Sequence, residues 1–168
     1  MSSTQIKKTN TIKYSGNASI KILNGKKIVK SVKQHNAGTP WFFQVLASAV
    51  IGNNESRNMP HYIDVLQKRA GSDPIEYDSL ITNRIALTSK SFRAQEGGWI
   101  AIMSAVIPYR SLKSTAATQN IDRVDIYSGS TGSNLLASVI LTDGDVIEIA
   151  ANTKNNIAVE WDMSFTNI

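Results

Sequence analysis

The stretch Ser19-Ile20-Lys21-Ile22-Leu23-Asn24-Gly25-Lys26-Lys27-Ile28-Val29-Lys30-Ser31-Val32-Lys33 decides the fold class. Two β-prone runs flank Asn24-Gly25, a dipeptide whose residues tolerate the positive φ of a tight turn, so the segment predicts a β-hairpin. Lysines 26, 30 and 33 flank Ile28, Val29 and Val32, which lets one face of the ribbon bury while the other stays basic. Lysine on such a ribbon also discourages edge-to-edge pairing, a structural reason for the charge that needs no ligand.

Toward the C-terminus the β pattern repeats. Ile157, Val159, Trp161, Met163 and Phe165 alternate with Ala158, Glu160, Asp162 and Ser164, the period of a half-buried strand. Further strands are expected at residues 61–66, 80–89, 99–107, 121–128, 135–141 and 146–150. Turn chemistry separates them at Gly71-Ser72-Asp73-Pro74, residues 130–134, Asp143-Gly144 and residues 152–156. Short strands at this spacing predict a mainly β domain, a β-sandwich or jelly roll of about eight to ten antiparallel strands.

One helix interrupts the pattern. Thr39 suits a helix cap and Pro40 its first turn, residues 41–51 are apolar almost all round, and Gly52 is a helix-ending residue. A short buried helix over residues 40–51 is therefore expected. With 168 residues the chain suits one domain, read here as an N-terminal arm over residues 1–11 followed by a single sandwich over 12–168.

Charge is distributed unevenly. Eight lysines and no acid precede Asn54, leaving ten basic and 13 acidic groups beyond it, so the net +5 divides into +8 and −3. A surface of this kind attracts an acidic partner, another copy of the chain included, although the same lysines also read as a solvated ribbon. Nucleic acid is the poorer partner, because the segment uses lysine alone and base or phosphate readout favours arginine. The first residues lack the apolar core of a signal peptide, and no run approaches the length of a membrane span, so synthesis in the cytoplasm and no membrane partner are expected.

Catalytic patterns are scarce. The chain has no cysteine, which excludes a disulfide framework, a thiolate zinc site and a cysteine nucleophile. His35 and His61 accompany no Gly-x-Ser-x-Gly elbow. The run from Ser128 to Ser133 lacks a P-loop lysine and joins two strands, so it reads as a turn. Carboxylates cluster at Asp122 and Asp125 and again at Asp143, Asp145 and Glu148, candidates for a glycosidase pair or calcium ligands, but Asp143-Gly144-Asp145 reads more simply as a hairpin turn. Trp41, Trp99 and Trp161 lie in apolar segments, which favours core packing over a sugar-stacking platform. No catalytic residue, cofactor or metal is expected.

The hairpin, the Lys33-Gln34-His35-Asn36-Ala37-Gly38-Thr39 lead into an apolar helix, and the later runs at residues 121–127, 135–141 and 157–167 resemble the strand pattern of small β-rich structural proteins of tailed bacteriophage virions. Proteins of crAss-like phages are among those it resembles. The resemblance implies a non-enzymatic virion component, a head decoration, collar or tail protein or fibre anchor, that assembles with other virion proteins and with itself. Lys21, Lys26, Lys27, Lys30 and Lys33 are the candidate docking residues. A carbohydrate- or receptor-binding module, with its site in loops 111–120 and 128–134, is the alternative reading.

Overall fold

The computed structural model describes residues 12–38, 59–114, 116–132, 135–142 and 144–167, and these are almost entirely antiparallel β-structure. The strands are β1 (Ile12–Asn24), β2 (Lys27–Gly38), β3 (Tyr62–Lys68), β4 (Tyr77–Ser79), β5 (Ile85–Ala86), β6 (Ser89–Gln95), β7 (Gly98–Ile107), β8 (Gln119–Ile121), β9 (Arg123–Tyr127), β10 (Leu135–Ile140), β11 (Ile147–Ile149) and β12 (Asn156–Asn167). The expected arm over residues 1–11 and the helix over 40–51 lie outside the described residues.

The hairpin forms with its loop one residue later than Asn24-Gly25. Asn24 pairs with Lys27, and Gly25-Lys26 make the turn. Gly25 takes φ +60 at the first turn position, the conformation a type II′ loop reserves for glycine.

Ten strands form one hydrogen-bonded sheet, in the order β4-β3-β9-β10-β2-β1-β12-β7-β6 with β5 joined to β3; β8 and β11 pair separately. β2 links the two halves of the long sheet. Its residues 27–36 pair with β1, and Ala37 and Gly38 then pair with β10. The sheet folds over on itself, and the inward side chains of both halves meet in a single core. Ala18, Ile20, Ile22, Met103, Ile107, Val159 and Trp161 come from one half, and Ile63, Val65, Val124, Ile126, Leu136 and Val139 from the other. Ile121, Ile147 and Ile149 of the β8–β11 pair add to it. The expected mainly β, sandwich-like fold is therefore present.

Several local expectations change. Residues 80–89 do not make one strand: Leu80 and Ile81 are buried in an irregular stretch, β5 has two residues, and β6 begins at Ser89. Residues 121–128 are broken at Asp122, where its carboxylate accepts the Lys68 N–H at 2.7 Å. The turn after β10 is present, with Asp145 N–H donating to Thr142 O at 2.7 Å, but it is not a hairpin turn, because β10 pairs with β9 and β2 while β11 pairs with β8. Trp161 is fully buried as expected, whereas Trp99 is 54% exposed.

Trp161 is the largest fully buried side chain, and its indole N–H finds no hydrogen-bond acceptor among the described residues. Trp161→Ala is expected to cost about 3–5 kcal/mol in urea denaturation through the cavity it leaves. Trp161→Phe, which removes the unpaired donor along with some volume, is expected to cost clearly less. Equal losses in the two variants would contradict this account.

Candidate functional site

The five docking lysines occupy three settings. Lys26 and Lys27 are exposed at the hairpin tip, next to Ile28 and Val29, which are 52% and 49% exposed. Ile20, Ile22 and Val32 point to the core, so Lys21 and Lys33 stand on the outer face, opposite Ser31 and Ser19. There Lys33 Nζ lies 3.8 Å from Asp162 Oδ2, and Asn17 Nδ2 donates to Asp162 Oδ1 at 2.9 Å. Lys30 is opposite Ile22 and donates from Nζ to Val146 O at 3.0 Å. The apolar positions Ile28 and Val29, expected on a buried face, instead flank the basic tip. A bulge between Ile22 and Leu23 shifts the register there, at the outer end of the ribbon.

A second constellation lies on the outer side of β3, β9 and β10. Asp64 and Asp125 are directly opposite each other across an antiparallel pair, which puts their carboxylates on one face. Both are buried. Asp125 Oδ1 accepts from Arg123 Nε at 2.7 Å and Ser138 Oγ at 2.6 Å, while Oδ2 accepts from Tyr127 Oη at 2.9 Å. Asp64 accepts from Ser79 Oγ at 2.7 Å. Burial raises the Asp64 carboxyl above its ordinary range against the opposing Ser79 hydrogen bond. Burial, followed by the Asp125 charge, pushes the Tyr127 phenol up to about 12.

Arg84 closes this cluster. Its guanidinium carbon stands 3.3 Å from the centre of the Tyr127 ring, and its two terminal nitrogens donate to Gly129 O at 3.0 Å and Gly132 O at 2.7 Å. The described part of the serine- and glycine-rich segment, residues 128–132, is thus non-helical and follows β9, with its glycine carbonyls held by an arginine. Of the glycosidase candidates, Asp125 is enclosed by donors, Asp122 holds a backbone N–H, Asp145 accepts from Thr142 Oγ1 at 3.3 Å, and Asp143 lies outside the described residues. Among the described residues no group of three or more His, Asp or Glu is placed to hold a metal. None of their helices is long and apolar enough to cross a membrane.

Among the described residues, three clefts bear on the site. One of about 570 Å³ lies over Arg123, Asp125 and Tyr127, beside Arg69 and Glu76. A smaller one of about 270 Å³ runs along Lys68, Arg69, Asp78 and Lys113. The third, about 440 Å³, lies between the Tyr109–Ser111 turn and the β11–β12 connection.

The most exposed apolar feature was not foreseen. Residues two apart on β7 share a face, so Trp99 lies on the side that buries Met103, Ala105 and Ile107. Phe92 of β6, opposite Ala101, shares that side and meets Trp99 edge-on with ring centres 5.8 Å apart. Both rings are exposed, so the core-facing side of the sheet continues beyond the part that the other half covers. Asp64 was also missed, although a lone acid within Ile63-Asp64-Val65-Leu66 was a readable signal of a buried polar group.

Because the Asp64 pKa is higher in the folded chain than its unfolded value of 3.8, the stability it contributes is complete below that value and is lost as pH rises through the folded pKa. Asp64→Asn cannot ionise and still accepts from Ser79. Its stability relative to the native chain is expected to increase from about pH 4 to about pH 7. A difference that stays flat by calorimetry would contradict this. Asp125→Ala, which strands Arg123 and the Tyr127 hydroxyl, is expected to cost about 3 kcal/mol in the same measurement.

The chain matches no family model, no curated protein and no solved structure.

Proposed function

We propose that the chain is a non-enzymatic structural protein of a bacteriophage virion, a head decoration, collar or tail component or fibre anchor, that acts by assembling with copies of itself and with neighbouring virion proteins. The observation that carries the assembly reading is the end of the long sheet. β6 terminates the strand order, so one edge of its backbone is unpaired by any described strand, and all seven of its residues are exposed. Next to that edge Phe92 is 77% and Trp99 54% exposed, on the side of the sheet that elsewhere forms the core. An apolar face with a free strand edge is stabilised when a second surface excludes water from it and supplies hydrogen-bond partners.

The β1–β2 tip offers a second contact of a different kind. Ile28 and Val29 supply apolar area, and Lys26 and Lys27 beside them steer an acidic partner. The virion assignment draws on the resemblance of the strand pattern described above.

Sedimentation velocity of the full chain tests assembly. A concentration-dependent dimer or larger species is expected, and Phe92→Lys is expected to shift it to monomer with stability changed by less than about 0.5 kcal/mol. A native chain that stays monomeric up to about 1 mM would overturn the reading. For the virion role, replacing Lys21, Lys26, Lys27, Lys30 and Lys33 together by glutamine is expected to leave a folded protein that no longer enters particles, as read by mass spectrometry of purified virions. Normal incorporation would remove the docking role of these lysines.

A further inference from the structure

We propose that the cleft between the Tyr109–Ser111 turn and the β11–β12 connection binds an acidic saccharide, a sugar chain bearing carboxylate or sulfate groups. Arg110, Lys113 and Lys154 all line this cleft, and no acidic side chain does. The other two clefts differ in this respect. Arg69, which lines both, is bound to Asp78 and Glu76, and Arg123 in the cleft of about 570 Å³ is bound to Asp125. Arg110, Lys113 and Lys154 form no ion pair among the described residues. Asp78, whose carboxyl is held down chiefly by its hydrogen bond from Arg69 and to a lesser degree by the Lys113 charge, is already engaged by that arginine.

The walls are firmly mounted. Leu112 is buried between Arg110 and Lys113 and bridges to Ile81, while Lys113 N–H donates to Leu80 O at 2.8 Å. Tyr109 N–H is held by Asn156 Oδ1 at 3.1 Å. On the opposite wall Asn152 takes φ +56, a left-handed conformation that asparagine tolerates, and so turns the chain back to present Thr153 and Lys154. The hydroxyl oxygens of Thr153 and Ser114 accept N–H groups from Asn155 and Ala116, which leaves each hydroxyl proton available to donate. The cleft is therefore rich in donors with no competing carboxylate, the requirement for an anion.

A saccharide fits better than a bare oxyanion. The volume of about 440 Å³ falls in the range of small-molecule sites, and Tyr109, 39% exposed, offers a ring face beside the neutral hydrogen-bonding groups of Asn152, Thr153 and Ser114. The inference is independent of assembly, since it uses neither β6 nor the hairpin lysines.

Isothermal titration of the full chain with a heparin tetrasaccharide, an oligogalacturonate tetrasaccharide and a neutral glucose tetrasaccharide tests it, with inorganic sulfate and phosphate as competitors. Binding of one or both acidic sugars and not the neutral one is expected, and the two acidic arms tell sulfate from carboxylate recognition. Arg110→Ala combined with Lys154→Ala, both at exposed positions, is expected to weaken binding by about tenfold or more while leaving the thermal transition unchanged. The variant with the five hairpin lysines replaced by glutamine is expected to bind like the native chain. Loss of binding in the hairpin variant alone, equal binding of the neutral sugar, no binding of either acidic sugar, or displacement by inorganic phosphate or sulfate at matching concentration would each overturn the proposal.

Discussion

The pairing of β1 with β12 is the contact on which the remaining architecture depends. Its register runs without a break from Ile12 opposite Asn167 to Leu23 opposite Asn156, and side-chain bonds such as Asn17 to Asp162 span 145 positions of sequence. β12 also holds β7, and β1 also holds β2. Removing the central pair would therefore separate the β6–β7 edge from the half of the sheet that contains the buried aspartates. Alternation along both strands sends Ala18, Ile20 and Ile22 and then Ile157, Val159, Trp161 and Met163 to one side, so the register and the core specify each other.

That mutual specification explains what could be read from the chain. Strands with one wet and one dry face carry the pattern in their composition, and residues 157–163 were legible for this reason. Turns built on backbone requirements were legible too, Gly25 among them. β6 was not, because Ser89–Gln95 is exposed throughout and an edge strand without a buried face has no period to detect. Trp99 misled for the complementary reason: it sits on the core-facing side of β7, as its apolar neighbours suggested, but beyond the reach of the opposing half.

The polar sites were less legible, since each is made by residues that only the sheet brings together. Asp64 and Asp125 meet through the β3–β9 register, and Arg84 reaches Tyr127 and the glycine carbonyls from a separate segment. Lys154 joins Arg110 and Lys113 because the end of β7 and the start of β12 lie side by side, with Ile107 opposite Ile157. The concentration of lysine before Asn54 was visible in the sequence, but not that Lys33 would be matched with Asp162 while Arg110 and Lys154 would lack such partners among the described residues.

The β1–β12 register also bears on how the protein is made. On the ribosome β1 emerges before β12, with the other ten described strands between them, and throughout that intervening synthesis the β1–β2 hairpin and β7 lack the strand that joins them. Two-stranded ribbons are only marginally stable in water. The nascent chain therefore cannot complete this core until β12 has emerged, and in that interval the inward face of β1 is exposed to chaperones and to other nascent copies.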